Sequence, residues 1–390
     1  MTGLPPLSHV LALVSAAAGV AGLVQAALGT WLVARFCRNE ERTSLTESVL
    51  PAFSILKPLH GDEPLLEEAL ESCCTQDYPD FEIIFGVQHA ADPAIAVVER
   101  LRERHPDLVL RLVVSGEQHG VNRKVSNLIN MLPAASSDHF VISDSDIHVR
   151  PDYLRHLARA VTRPGTGVAT TLYAGLPASG SLPRLLSACQ INHNFLPGVL
   201  LSRYLGRQDC LGATMVITRE NLAAVGGLEA LAPHVADDAV LGRLVRARGG
   251  DITIAGCMTW TTIGERTMGD LLSHELRWGR TVRSLAPGGY LASAIQLPML
   301  WFTLPVLLQP HAVWPLRVFF LAWVLRAVCA FAMDRCVGQR SFIPLVLLPF
   351  RDWLSACVMI GSLTGSRVAW RGHTMHVAPH EINPSLPAGD

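Results

Sequence analysis

The sequence predicts an α/β domain, a parallel sheet with covering helices, held between apolar helices at both ends of the chain. Two observations carry this: long charge-free stretches lie near both ends, and short apolar runs alternate with helix-periodic segments between them. The composition agrees. Charged residues make up 17% and hydrophobic residues 49% of 390, against about 25% charged in ordinary soluble domains. Lys plus Arg is 32 and Asp plus Glu is 33, a net charge of −1, which excludes a nucleic-acid binder working through overall charge. The nine cysteines include no C-x-x-C pair and read as reduced thiols, not as a disulfide scaffold.

Residues 1–34 contain no Asp, Glu, Lys or Arg. The stretch 11–34 reaches the roughly 20 apolar residues that a spanning helix needs. It is too long for a signal peptide and lacks the basic lead. Arg35, Arg38 and Arg42 follow, which by the positive-inside rule puts the next domain in the cytoplasm and the N-terminus outside. Strand-like runs then fall at 52–56, 81–87 (FEIIFGV), 108–114, 139–143 and 168–173, with helical spacing at 63–75, 93–104 and 151–161. That alternation predicts a parallel sheet. No G-x-G-x-x-G or G-x-x-x-x-G-K-[ST] follows a strand, which argues against a dinucleotide or P-loop site.

A second charge-free stretch, 291–316, contains Pro298, Pro305 and Pro310, so a helix there bends or ends near Gln309. Residues 313–333 read as a further span. Arg326 lies too deep to reach the surface and is expected to face protein or water. Residues 342–363 are interrupted by Pro344, Pro349, Arg351 and Asp352. A full span would leave Arg367 and Arg371 outside, so a re-entrant or interfacial pair of short helices is expected. The division is an anchor at 1–43, a cytoplasmic α/β domain at 44–286, membrane and interfacial helices at 287–372, and a flexible tail at 373–390.

In open α/β sheets ligands bind beyond the carboxyl ends of the strands, which singles out Lys57, Asp92, the segment 120–124 with Lys124, and Asp144-Ser145-Asp146. The DxD can present two carboxylates to one hard cation that takes its other ligands from phosphate oxygens; a solvated acidic turn explains it locally as well. Asp92 also suits an N-cap for the helix opening at Pro93. Asp237-Asp238 open a helix, as dipole partners or with Asp238 as a general base. His193 sits among polar residues and reads as hydrogen-bonded. His274, Arg277 and Trp278 lie in H-E-L-R-W before the apolar C-terminal part; Arg277 suits a diphosphate charge, and Trp278 a pocket wall or an interfacial anchor.

The order of these signals, strand-end Asp, DxD, acidic pair, then xxxRW before membrane helices, resembles the inverting GT-A glycosyltransferases with a D, D, D, (Q/R)xxRW signature. The segments SILKPLHG (54–61), VQHAADPAI (87–95), GVNRKVSNL (120–128), DSDIHVRPDYL (144–154) and GGLEALAPHVADDAVLG (226–242) are similar to ceramide glucosyltransferases. The resemblance implies a GT-A, Rossmann-like nucleotide-diphospho-sugar transferase domain and a UDP-sugar donor. It implies a divalent cation, Mg²⁺ or Mn²⁺, on Asp144 and Asp146, nucleotide binding at Asp92, Asp238 as the base and a functional His193. His274 replaces the Gln or Arg of the ceramide enzymes. H-E-L-R-W is similar to the bacterial hopanoid-associated branch, which implies UDP-N-acetylglucosamine as donor, bacteriohopanetetrol as acceptor and a place in the bacterial inner membrane. Rival readings are a ceramide or sterol glucosyltransferase, a processive polysaccharide synthase with too few helices for an export channel, and an inactive membrane scaffold. No oligomeric state is legible in the sequence.

Overall fold

A computed structural model describes residues 6–42, 50–364, 367–370 and 373–376. They gather into two units. One comprises Gly29–Gly264 with Met333–Arg340; the other comprises Glu265–Ala332 with the residues before 29 and those after 340. The units therefore divide after Gly264, whereas the sequence reading extends its α/β domain to residue 286. Helix α1 (Leu7–Arg42) belongs to both, passing from one to the other at Gly29.

The sheet unit holds β1 (Phe53–Pro58), α2 (Leu66–Cys74), β2 (Phe81–Val87), α3 (Ala94–Arg104), β3 (Leu110–Val114), α4 (Arg123–Met131), β4 (His139–Ser143), β5 (Ile147–His148), α5 (Tyr153–Val161) and β6 (Thr166–Pro177). It continues with α6 (Leu182–Gln190), α7 (Leu196–Tyr204), β7 (Thr214–Thr218), α8 (Arg219–Ala224), α9 (Asp237–Ala247) and β8 (Asp251–Ile263). Among the described residues the strands form one eight-stranded sheet in the order β3-β2-β1-β4-β7-β6-β8-β5.

The expectation of a parallel sheet holds only in part. β1 to β4 are mutually parallel, and β6 runs parallel to β8. β7 runs antiparallel to β4 and β6, and β5 antiparallel to β8. The physical reason lies in the connection between β6 and β7. It carries α6 and α7 and brings the chain back between β4 and β6, in the middle of the sheet, instead of adding a strand at its edge. Of the parallel strands, β1, β2 and β4 are covered on both faces and buried along nearly their whole length, whereas the edge strand β3 is partly exposed. Ile55, Phe85 and Val141 pack there against Leu154 and Leu157 of α5 in one core.

The helical unit holds α10 (Met268–Leu285), α11 (Pro287–Ala292), α12 (Pro298–Leu308), α13 (Val313–Cys336, its last turn counted with the sheet unit) and α14 (Ile343–Ser362). Among the described residues Leu7–Asn39, Val313–Cys336 and Ile343–Ser362 are long and apolar enough to cross a membrane. The segments Pro287–Gln296 and Pro298–Leu308, bent by 66°, make a fourth candidate if counted as one span. The bend and the stop at Gln309 match the proline reading.

Residues 342–363 do not form a pair of short helices: α14 is one continuous helix with Pro349 inside it. Proline removes the bond to the carbonyl four residues earlier. Here that carbonyl, on Leu345, accepts from the Trp323 indole N–H at 3.0 Å. Pro305 in α12 is treated alike, since the Trp301 carbonyl accepts from Ser15 Oγ at 2.6 Å. In an apolar setting each freed backbone group needs such a partner. Arg326, 2% exposed, is buried within protein as expected. At the C-terminal end, β9 (Arg367–Trp370) pairs antiparallel with β10 (His373–His376), so the stretch expected to be flexible from 373 begins with four paired residues. Arg371 and 377–390 lie outside the described residues.

Candidate active site

Parallel pairing brings the carboxyl ends of β1, β2, β3 and β4 to one edge of the sheet. The loop after β4 carries Asp144 and Asp146. Lys57, at the end of β1, is fully buried. Its Nζ donates to the Asp144 carbonyl at 2.7 Å, to Ser143 Oγ at 3.1 Å and to the Ile147 carbonyl at 3.4 Å. An ammonium has three donors, so all three of Lys57 hold the shape of the DxD turn. Asp146 accepts from Thr261 Oγ1 of β8 at 2.6 Å, and its carbonyl accepts from the Thr262 amide at 3.0 Å.

Across the edge, Asn122 caps α4 by accepting from the Val125 amide at 3.2 Å. Its Nδ2 donates to the His234 carbonyl at 2.8 Å, which ties the 120–124 loop to the segment leading into α9. Gly120 is needed for that approach, since a Cβ there would stand 2.5 Å from the Ala232 carbonyl oxygen. Lys124, the second residue of α4, then reaches Asp144 Oδ1 at 2.7 Å and Asp237 Oδ2 at 3.4 Å. Burial alone would lower the Lys124 pKa; the charges of Asp144 and Asp237 outweigh it and hold the ammonium above the ordinary lysine range.

Asp238 follows in the first turn of α9. Its Oδ1 accepts from the Ala239 amide at 2.7 Å, and a Cβ at Gly212 would lie 3.0 Å from its Oδ2. Burial, then repulsion from Asp237, pushes its carboxyl up to about 6 against the pull of Lys124. Asp146 is likewise pushed up to about 6, by burial and by the Asp144 charge. Tyr173 of β6 lies within the field of Asp238, Asp144 and Asp146. Burial and those charges raise its phenol well above the ordinary value, so it stays a protonated donor beside the carboxylates.

Asp92 keeps the capping role: its Oδ1 accepts from the Ala94 amide at 2.9 Å and from the Gly61 amide at 3.0 Å. The second bond staples the loop after β1 to the loop after β2 at a glycine with φ +72°. His193 is buried in a single π-helical turn, Ile191–Phe195, between α6 and α7. Such turns recur at functional sites. Its Nε2 lies 2.8 Å from Oδ1 of Asp334, itself 4% exposed. His274, Arg277 and Trp278 stand on α10 in the helical unit. The His274 ring is held by Glu265 through Nδ1 and meets Trp278 edge-on, with centroids 5.1 Å apart.

Sequence reasoning missed Thr261, Tyr173 and Asp334. The first two become part of the site only through pairing across the sheet, and Asp334 only through the seating of the last turn of α13. Among the described residues no three His, Cys, Asp or Glu side chains converge to hold a metal alone. Asp144 and Asp146 instead offer a two-carboxylate set with the mutual repulsion seen at Asp146. That fits a hard cation completing its shell with phosphate oxygens and water.

Over residues 14–382 the chain matches the family described as Glycosyl transferase family 21. It is similar to Ceramide glucosyltransferase 1 of Caenorhabditis elegans, 27% identical over 203 residues, which are 52% of this chain and 44% of that protein. It is similar also to Ceramide glucosyltransferase 3 of the same organism, 24% identical over 352 residues, covering 85% of this chain and 74% of that one. The match thus spans less than half of the first of these relatives. The mannosyltransferase PcManGT from Pyrobaculum calidifontis, solved in complex with GDP-Man and Mn²⁺, shares the fold. Its TM-score is 0.50 at 19% identity over 90% of this chain and 99% of that one. The fold is the expected GT-A type, with a mixed sheet and apolar helices at both ends.

Proposed function

We propose, because the chain belongs to glycosyl transferase family 21, that it is a membrane-bound inverting transferase. It would carry N-acetylglucosamine from its UDP derivative to a lipid hydroxyl, that of bacteriohopanetetrol. One observation carries the reaction class. Lys124 bridges Asp144 and Asp237 at the strand edge, which sets a cation-binding pair for a diphosphate, Asp144 and Asp146, beside a separate half-buried carboxylate, Asp238. In this reading Asp238 takes the proton of the acceptor hydroxyl. The oxygen attacks the anomeric carbon, the bond to the diphosphate breaks, UDP leaves, and the centre inverts to β. Asp144 and Asp146 would hold Mg²⁺ or Mn²⁺, which would neutralise the diphosphate charge. Lys57 and Asp92 position the loops around the donor, and Arg277 supplies a further cation for the leaving group. The working place is the cytoplasmic face of a bacterial inner membrane, where nucleotide sugars are available.

The base assignment has a pH consequence. A carboxyl held up to about 6 is ionised above that pH and protonated below it, so the base is lost as pH falls through that value. Turnover should drop about tenfold per unit below pH 6. A pH profile of kcat flat from 7 down to 5 contradicts the assignment.

His274 in place of Gln or Arg favours the hopanoid acceptor. Imidazole is shorter and has fewer donors, and here its ring is already engaged by Glu265 and Trp278. A second reading, transfer of glucose from UDP-glucose to ceramide, is favoured by the two ceramide glucosyltransferase relatives. The purified protein is offered both donors with ceramide, with bacteriohopanetetrol and with a mixed bacterial lipid extract, and the lipids are read by mass spectrometry. The first reading expects a hopanoid bearing N-acetylglucosamine and no glucosylceramide. Efficient ceramide glucosylation without a hopanoid product selects the second.

A further inference from the structure

The glutamate of H-E-L-R-W, which the sequence reading left without a role, is buried within the helical unit, 9% exposed. Its two carboxylate oxygens accept from Arg351 of α14, Oε1 from Nη1 at 2.7 Å and Oε2 from Nη2 at 2.6 Å. Arg351 is 1% exposed, and Ser355 Oγ accepts from its Nη2 at 2.9 Å. This is a bidentate, charge-assisted pair in an apolar surround, the arrangement that adds geometric direction to attraction.

At the exposed end of this contact Arg283 Nη1 of α10 donates to the carbonyl of Leu363, which ends α14, at 2.9 Å; near Glu275 the two helices meet through glycines. A Cβ on Gly279, one turn from Glu275, would stand 3.1 Å from Ser362 Cβ, and one on Gly361 would stand 3.0 Å from Leu276 Cδ2. Bare glycine faces let helices approach closely but resist rotation poorly, so the buried directional element is the ion pair, the Arg283 bond being solvent-exposed. At about 100° per residue, Arg277 lies about 200° round α10 from Glu275, turned away from α14, and Trp278 about 60° from Glu275.

We infer that Glu275 and Arg351 are positioning residues: the pair fixes the rotation of α10 about its axis and thereby aims Arg277 and Trp278. The role in transfer rests on the proposed function; the rotational role does not. It also accounts for one of the two charges that interrupt the apolar stretch 342–363, Arg351.

The test compares Glu275→Gln, Arg351→Met and the double variant in the full-length, membrane-extracted protein. Removing one partner strands a buried charge, whereas removing both often restores stability. A merely structural pair would therefore recover fully in the double variant. We expect the double variant to regain the wild-type unfolding midpoint and donor KM, yet to keep kcat at least tenfold down, on the scale of a misplaced catalytic group. Recovery of wild-type kcat would overturn the inference. Should the double variant fail to fold, Glu275→Asp keeps the charge and shortens the reach. It should cost about three- to tenfold in kcat at unchanged donor KM, and an unchanged kcat counts against the inference. A wild type that glycosylates no lipid overturns the proposed function alone. Rotation is then read from the maleimide labelling rate at residue 277, by peptide mass, in Arg277→Cys with and without the paired substitutions. A change of at least threefold is expected, and equal rates refute the positioning role.

Discussion

Asp238→Asn should lower turnover by about 10²–10⁴-fold, the scale of losing a general base, while UDP-sugar binding survives. The asparagine oxygen can still accept from the Ala239 amide, as Asp238 Oδ1 does at 2.7 Å, and the amide fits the space left by Gly212. The change therefore removes the proton acceptor and one negative charge and little else. Calorimetric titration of the donor, beside kcat with saturating lipid, separates the outcomes. Lost donor binding would make Asp238 a nucleotide-holding or structural residue and leave the reaction without its assigned base.

The second large effect is expected at Asp146. Asp146→Asn keeps an oxygen for the Thr261 hydroxyl, now 2.6 Å from the carboxylate, and keeps the backbone bond to Thr262. Shape is preserved and one anionic ligand is lost. Turnover should collapse, and the divalent-ion requirement should weaken or move toward a different ion, read as activity against Mg²⁺ and Mn²⁺ concentration. Chelation by EDTA should silence the wild type. Full wild-type activity in EDTA together with an active Asp146→Asn protein would remove the metal from the scheme. Asp144 is the less clean probe, since its substitution also releases Lys124 at 2.7 Å.

Legibility followed locality. FEIIFGV was readable to the residue because a strand covered on both faces is a continuous apolar run. The four strand-end groups Lys57, Asp92, Lys124 and Asp144 were readable as neighbours because a parallel sheet aligns its carboxyl ends. Their partners were not. The cap of Asp92 on the helix after Pro93 was readable, but that Lys57 faces backbone carbonyls, and that Asp92 also holds the Gly61 amide, are matters of angstroms that no spacing encodes. β7 and β8 were not read as strands, the last strand expected being 168–173, and the short run TMVIT carries no mark of its direction. α14 was misread because the rule that proline breaks helices assumes the freed carbonyl goes unanswered, and Trp323 answers it from another helix. Arg351 and Asp352 looked like interruptions because their partners lie elsewhere in the chain: Glu275 for Arg351, and for Asp352 the amide of Met299 in the first turn of α12, at 2.8 Å.

The pairing of β5 with β8 bears on when the site comes into being. Asp146 and Thr261 are 115 positions apart, and Ile147 pairs with Thr261 itself. The parallel strands β1 to β4 are complete once residue 143 has been synthesised, and Lys57 can then hold one side of the DxD turn, but Asp146 and Ile147 have no partner strand until the ribosome has made the last residues of β8. Chains fold in the order they emerge, at about 5–20 residues per second. The half of the sheet that would receive the nucleotide therefore waits several seconds for the strand that pins its acidic turn. A nascent chain halted before residue 251 should have a protease-resistant first half and a DxD loop that is still cut.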